Sequence, residues 1–172
     1  AKTLPKLSAG QNVRIAALKA LGAYGSNERA VDTLIAVLAV ADPKTQLIQL
    51  NAAAANALAE TQSPKALQPL LRALFEASPI YQQVRAALTR LGKPAVPELI
   101  KVFKGEHEAI NKFAQENSFA TDCDKAQGPE TKCKAPGNLQ FKSAALLGDL
   151  RAVEAVDVLA AALKQPGKVS FF

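Results

Sequence analysis

The chain has 172 residues, a length that suits one domain with a buried core. Although 49% of the residues are apolar, no apolar run reaches the roughly 18 residues that a membrane span needs, so we expect no span. The net charge is +6, but Lys and Arg are interleaved with Asp and Glu along the chain, which argues against a basic nucleic-acid-binding patch.

A pair of predicted helices, A and B, recurs along the chain. Helix A is rich in paired alanines, and helix B carries apolar residues at positions i, i+1, i+4, i+5 and i+8, the stripe of an amphipathic helix. In chain order, helix A is predicted over residues 13–22, 50–59, 84–92 and 141–148. The stripe of helix B begins each time at an alanine: Ala30, Ala66, Ala95 and Ala155. We expect the leucine at the centre of each stripe to be buried: Leu34, Leu70, Leu99 and Leu159.

This pattern predicts an all-α fold of about eight helices in four antiparallel pairs, with no β-sheet. We expect Gly25 to end the first helix A, and Asn27 and Ser63 to cap the next helices along the chain. The repeats are expected over about residues 11–41, 43–77, 79–121 and 138–164.

The third repeat is longer than the others. Successive copies of helix B begin 36, 29 and then 60 residues apart, so the last spacing holds one repeat and an insertion of roughly 25 residues. Residues 106–119 still have helical spacing, and we expect them to extend the third helix B. An inserted loop is then predicted over residues 122–137.

The first repeat carries a family resemblance. It reads Val13-Arg14-x-Ala16-Ala17-x-x-Ala20-Leu21-Gly22 in helix A and Arg29-Ala30-Val31-Asp32-x-Leu34 in helix B. These residues resemble HEAT repeats of the bacterial, phycobilisome-lyase-like subtype, and the likeness extends over residues 11–164 apart from the insertion. It implies an α-α superhelix, a HEAT-like solenoid of about four helix pairs forming one domain. Such repeats occur in scaffolds, adaptors and a few enzymes, so the resemblance implies an architecture more than an activity.

In HEAT proteins helix B conventionally lines the concave face, so its polar residues are the expected partner-binding residues. The expected set is Asp32, Gln68, Arg72, Glu98, Lys101 and Asp157. Arg72 and Lys101 hold equivalent positions in successive copies of helix B. Because an extended solenoid exposes a long surface, we expect a non-enzymatic scaffold that binds a protein or peptide through this face. The two cysteines considered below add the expectation that the bacterial protein is exported and that the inserted loop takes part in binding.

His107 is the only histidine and the only obvious general base. No nucleophile or second acid accompanies it in a recognisable motif, so we expect no catalytic residue and no cofactor, and we expect His107 to lie at a helix surface. Two alternative functions stay open: a bilin lyase- or isomerase-like enzyme, which the repeat subtype brings to mind, and a HEAT-type DNA-binding protein. The scarcity of aromatic residues and the mixed charge argue against both.

Cys123 and Cys133 are the only cysteines, and they flank a polar, turn-rich stretch. A zinc site would need two further ligands at close spacing, and the only candidate is His107, sixteen residues before Cys123. The acidic residues of the stretch do not follow the spacing of a calcium-binding loop, so we expect no metal site. Two interpretations are left, a disulfide and two free thiols in an exposed cytosolic loop. Because exposed thiols oxidise, we favour the disulfide, which implies an extracytoplasmic location: periplasmic, at the cell surface or secreted.

The last residues of the chain are apolar and come after Pro166-Gly167; they include Val169, Phe171 and Phe172. A solenoid normally ends in a polar capping face. We therefore expect the chain to be part of a longer array.

We predict that protein purified without reductant contains no titratable thiol, because Cys123 and Cys133 are joined. Reduction should loosen the loop between them and leave the helical content unchanged, since the crosslink is local and each repeat is stabilised chiefly by its neighbours. Thiol titration and far-ultraviolet circular dichroism, before and after reduction, measure the two effects. Two titratable thiols in the native protein would contradict both the bond and the compartment.

Overall fold

The computed structural model describes residues 9–39, 48–75, 79–116 and 137–164, which form helices and turns. The predicted all-α class is confirmed. Over the described residues there are nine α-helices: α1 (Ala9–Gly22), α2 (Glu28–Ala39), α3 (Ile48–Thr61), α4 (Leu67–Phe75), α5 (Tyr81–Leu91), α6 (Ala95–Lys104), α7 (Glu108–Glu116), α8 (Gly137–Asp149) and α9 (Val156–Leu163).

These helices are arranged in the predicted order of the repeat. Helix A corresponds to α1, α3, α5 and α8, and helix B to α2, α4, α6 and α9, whereas α7 is additional. Short 3-10 turns at Pro64–Ala66 and Val153–Ala155 lead into α4 and α9. Within the four described ranges, no helix has both the length and the apolar character needed to cross a membrane.

The third repeat differs from the prediction, because its helix B does not extend through residues 106–119. It ends just before Gly105, which adopts a left-handed conformation with φ 73°. The amide of Gly105 donates to the carbonyl of Val102 (3.0 Å), and the amide of Glu106 donates to the carbonyl of Lys101 (2.8 Å). This is the hydrogen-bond pattern of a Schellman cap, which stops a helix. The chain therefore turns, and α7 forms as a separate helix.

The turns between helix A and helix B agree with the prediction in part. Gly25 adopts a left-handed conformation (φ 61°), and Oδ1 of Asn27 accepts a hydrogen bond from the amide of Ala30 at 3.2 Å, as an N-cap should. Ser63, in contrast, makes no side-chain cap bond. Its amide instead donates to Oγ1 of Thr61 at 3.2 Å, so the turn itself uses a threonine hydroxyl that the sequence did not single out.

The chain divides into two compact units, Ala1–Leu91 and Gly92–Phe172. The first contains α1 to α5, and the second contains α6 to α9. The division falls inside the third repeat, between its helix A and its helix B.

In the first unit α3 is the central helix. It packs against α1, α2 and α5, while α4 packs against α2 and α5. Its buried residues are Leu50, Ala53, Ala54, Ala55, Ala57, Leu58, Ala59 and Thr61. Because alanine projects a single methyl group, neighbouring helices can approach α3 closely on several sides, and the buried area stabilises the unit by the hydrophobic effect.

The closest approach joins the end of α1 to α3. A Cβ added to Gly22 would lie 3.0 Å from the carbonyl oxygen and 3.1 Å from the Cα of Ala57. These are backbone atoms and cannot rotate away, as the end of a long side chain could. Glycine is therefore favoured at this position by contact with the next helix A, since a Cβ would require α3 to shift by a few tenths of an ångström, and not by its own backbone conformation.

The apolar stripe of helix B is buried in three of its four copies. Leu34, Leu70 and Leu99 are fully buried, as predicted. The prediction for Leu159 is wrong, since this residue is half-exposed and α9 has no buried residue. In the first unit the stripe is covered by the helices of the next repeat, but no described helix comes after α9.

In the second unit α6 packs against α8. The side-chain amide of Gln140 on α8 donates to the backbone carbonyl of Phe103 on α6 (3.3 Å). Three leucines of α8 are buried, namely Leu139, Leu146 and Leu147. Among these leucines Ser143 is also fully buried, and its hydroxyl donates to the carbonyl of Leu139 one turn earlier (2.6 Å). The polar group is thereby satisfied within its own helix.

We predict that Gly22→Ala lowers the free energy of unfolding by about 1 to 3 kcal/mol, because the added methyl group overlaps the backbone of α3. Gly148→Ala is the matched control. Gly148 holds the equivalent place near the end of α8, and an added Cβ would meet nothing within 4 Å. Alanine is the better helix former, so this control should gain about 0.5 to 1 kcal/mol. Chemical denaturation measures both, and equal changes in the two variants would contradict the close approach.

Candidate binding surface

Three of the six predicted partner-binding residues lie in the first unit, on α2 and α4, which pack against each other. Asp32 is on α2, and Gln68 and Arg72 lie about one turn apart on α4. All three are exposed, whereas Leu34 and Leu70 of the same helices are fully buried. Each helix therefore places its apolar stripe inward and these polar residues outward. We call Asp32, Gln68 and Arg72 the helix B face.

Lys65 lies at the border of the helix B face, and it was not among the residues predicted from the sequence. Its Nζ is 3.0 Å from Oε1 of Glu28 and 4.0 Å from Oδ1 of Asp32. The hydrogen bond to Glu28, with the negative charges of Asp32 and Glu28 as further causes, raises the pKa of Lys65. One feature of the sequence could have identified Lys65. It lies 36 residues after Arg29, and the same offset separates the first two copies of helix B, so a basic residue recurs at one position of the repeat. A basic residue of one repeat thus faces acidic residues of the previous repeat.

A second ion pair joins the helix A copies of the same unit. Arg90 at the end of α5 pairs with Glu60 at the end of α3, and both side chains are exposed. Exposed pairs of this kind contribute little to stability, about 0 to 1 kcal/mol each.

The other three predicted residues lie in the second unit. Lys101 is exposed on α6, and its Nζ donates to Oε1 of Glu98 at 2.8 Å. Asp157 is exposed on α9. Glu98 differs from the rest, since its side chain is 22% exposed and its second oxygen, Oε2, lies 3.2 Å from Nε2 of His107. The carboxylate of Glu98 is therefore already engaged by two side chains of its own unit.

His107 does not lie at a helix surface, so the prediction from the sequence is wrong. It is 7% exposed and immediately precedes α7. Its Nδ1 accepts a hydrogen bond from the amide of Ile110 at 3.3 Å, which is the position of an N-cap side chain. With Nδ1 as acceptor, the neutral ring carries its proton on Nε2, towards Glu98; this contact is close but not aligned as a hydrogen bond. The only histidine thus begins α7 and links it to α6.

The groups on the helix B face can form charge-assisted and amide hydrogen bonds. A carboxylate, an amide and a guanidinium side by side match the donors and acceptors of a protein or peptide surface. Across the described ranges, no three His, Cys, Asp or Glu side chains come together in a way that could hold a metal ion. Loop 122–137, with Cys123 and Cys133, lies outside the described residues apart from Gly137, the first residue of α8.

Comparison with known families identifies the repeat. Residues 13–39 and 50–76 match the family described as PBS lyase HEAT-like repeat. These two segments are HEAT-like repeats of the phycobilisome-lyase subtype. The matched segments correspond to α1–α2 and to α3–α4 with its preceding turn. No curated protein and no solved structure matches the chain.

Alignment of these two HEAT-like repeats gives the equivalent residues. Leu21-Gly22 at the end of α1 corresponds to Leu58-Ala59 near the end of α3, an offset of 37. In helix B the offset is 36, from Ala30 to Ala66, because the second turn is one residue shorter. The helix B face therefore contains one equivalent pair, Asp32 and Gln68.

We predict that His107→Ala lowers the free energy of unfolding by about 1 to 2 kcal/mol, because α7 loses its N-cap acceptor. His107→Asn should lose less, since asparagine caps helices well. Lys112→Ala, an exposed change in the same helix, should stay within about 0.5 kcal/mol of the parent protein. Denaturant titration of the three variants measures these values. Equal stability of His107→Ala and Lys112→Ala would show that the ring is not a cap.

Proposed function

We propose that this chain is a non-enzymatic scaffold of an exported bacterial protein, which binds a protein or peptide partner. The observation that carries the proposal is the arrangement of helix B in the first unit. Its apolar template is buried, and the polar residues Asp32, Gln68 and Arg72 are exposed on adjacent helices. A repeat of this kind offers an extended surface for few residues, which suits recognition of a macromolecule.

The charges of the face favour a partner with charges of both signs. Asp32 would accept hydrogen bonds from Lys or Arg of the partner. Arg72 would bind a carboxylate, through two parallel hydrogen bonds where the geometry is bidentate. Gln68 lies about one turn from Arg72 and offers an amide to a peptide backbone. A uniformly anionic partner such as duplex DNA would meet repulsion at Asp32 and its neighbour Glu28.

The export of the protein and the binding role of loop 122–137 rest on the two cysteines alone. A disulfide between Cys123 and Cys133 would restrain a short polar loop and require an oxidising compartment. The loop would then add a second recognition element to the helical surface. Titration of thiols in the native protein tests this part independently of binding.

We predict that reversing the charges of the helix B face abolishes partner capture. The variant is Asp32→Arg with Arg72→Glu, which keeps the net charge. The immobilised chain, incubated with extract of the organism that makes it, should retain a specific partner that the variant loses, with affinity lowered at least about tenfold. Quantitative mass spectrometry of the bound fraction, and then titration with the purified partner, measures the change.

The matched control is Glu60→Arg with Arg90→Glu, which exchanges the two charges of the exposed pair on α3 and α5 and also keeps the net charge. The control should bind as the parent chain does. Equal capture by all three proteins would place binding away from the helix B face, and capture of nothing above blank resin would contradict a scaffold. Salt-dependent binding of labelled duplex DNA, or an absorbance change with a free bilin, would favour the alternative functions.

A further inference from the structure

A lysine of the second repeat lies close to two acidic residues of the first. Glu28 and Asp32 are about one turn apart on α2, and Lys65 comes from the 3-10 turn that leads into α4. Like charges four residues apart on a helix repel each other, so a cation close to both is stabilising. The three charged groups lie at the border of the helix B face, between the two repeats of the first unit that match the family.

The ammonium group of Lys65 is not shared equally between the two carboxylates. Its Nζ donates to Oε1 of Glu28 at 3.0 Å, whereas Oδ1 of Asp32 is 4.0 Å away, beyond hydrogen-bonding distance. The causes of the raised pKa of Lys65 agree with this geometry, since the hydrogen bond to Glu28 is the largest and Asp32 acts only through its charge. Glu28 therefore holds the ammonium group, and the side chain of Asp32 stays 64% exposed.

Glu98 in the second unit shows the opposite arrangement. Its Oε1 accepts a hydrogen bond from Lys101 at 2.8 Å, its Oε2 lies 3.2 Å from Nε2 of His107, and its side chain is only 22% exposed. A cation of a partner would have to displace groups that already contact this carboxylate. Over the described residues, in contrast, the one cation within 4 Å of Asp32 is Lys65, at the limit of that distance.

Lys65 would reach Asp32 if Glu28 did not hold it. The ammonium group of a lysine is a point charge on a flexible four-carbon stem, and a shift of about 1 Å would bring it into hydrogen-bonding distance of Asp32. There it would occupy the carboxylate that a basic residue of the partner needs, and its charge would repel that residue. Lys65 is thus an internal competitor for Asp32, and Glu28 removes it from the competition.

We propose that Glu28 is a positioning residue of the helix B face: it binds Lys65 and thereby keeps the carboxylate of Asp32 open to a lysine or arginine side chain of the partner. The role rests on the proposed function, because it concerns the same surface and the same partner. It extends that function to two residues that act without touching the partner. It also states which kind of partner residue the face selects at Asp32, namely a basic one.

Glu28→Gln should lower the affinity for the partner, because the released ammonium group moves to Asp32. The partner is the protein captured by the chain from extract of the source organism and then purified, and calorimetric titration measures its binding. We expect a loss of about two- to fivefold, since exposed ion pairs are weak. Lys65→Gln should raise the affinity by a similar factor, because the competitor and its charge are gone.

The matched control for charge is Glu60→Gln. Glu60 is also an exposed acidic residue of the first unit that pairs with a basic residue of the next repeat, but it lies at the end of α3. Its replacement changes the net charge as Glu28→Gln does and should leave the affinity unchanged. An equal loss in Glu60→Gln and Glu28→Gln would overturn the proposal, because net charge alone would then explain the effect.

The double variant Glu28→Gln with Lys65→Gln separates positioning from direct attraction of the partner by Glu28. If Glu28 acts by holding Lys65, its removal has no effect once Lys65 is gone, and the double variant binds as Lys65→Gln does. If Glu28 instead attracts the partner through its own charge, its removal weakens binding to the same extent with and without Lys65. The second result overturns the proposal, and so does equal affinity of Glu28→Gln and the parent chain.

A measurement on the free chain tests the position of Lys65 without any partner. The chemical shift of the side-chain carboxylate carbon of Asp32, measured by nuclear magnetic resonance at neutral pH, responds to an ammonium group that moves onto it. The shift should change in Glu28→Gln and should change less in the double variant, which lacks the ammonium group. If the parent chain captures no partner, the proposed function fails, while this shift still decides whether Glu28 holds Lys65. An equal shift in Glu28→Gln and the double variant overturns the positioning role even if a partner is captured.

Discussion

Close packing of helices through small side chains is the constraint on which the first unit depends. The central helix α3 contacts three other helices, and five of its eight buried residues are alanines. At the end of α1 even a methyl group would be tightly packed, since Gly22 lies against the backbone of Ala57. The alanine-rich composition is therefore a consequence of the architecture. A helix buried on several sides cannot carry large side chains without pushing its neighbours apart.

In the first unit, α2 and α4 each have a buried apolar side and an exposed polar side. The apolar stripe joins one repeat to the next, and the polar residues stay outside for contacts with solvent or a partner. Neither side can change its role alone, because a shift of register would bury Asp32 or expose Leu34. The buried and the exposed side of helix B are thus set by neighbouring residues of one short segment.

The junction between α6 and α7 shows how local chemistry interrupts this regularity. The left-handed Gly105 stops α6, and two residues later His107 begins α7 by accepting the amide of Ile110. Glu98 connects the two helices through its contact with His107 while it also pairs with Lys101. Periodicity predicts Glu98 at the surface, but its carboxylate makes contacts within the fold.

Exposed apolar residues on α9 acquire meaning only through comparison with earlier copies of the repeat. Scattered apolar residues at a surface are ordinary in soluble proteins. Here, however, Val156 and Leu163 hold positions that are buried in α2, and Gly148 holds the place of a glycine that makes room for another helix. Comparison between copies of the repeat therefore shows that α9 exposes positions that α2 buries.

Periodicity alone determined the helical class, the order of the helices and most of the core. Leu34, Leu70 and Leu99 could be identified as buried because an amphipathic stripe depends only on neighbours along the chain. The helices that cover those stripes could not be identified in this way. Leu159 has the same local pattern but a different environment, since burial depends on the helices packed against a residue in space. Likewise, His107 has the sequence context of a surface residue between two glutamates until the turn at Gly105 brings it against Glu98. Such contacts join separate helices, and a period within one helix carries no information about them, so only the tertiary structure decided them.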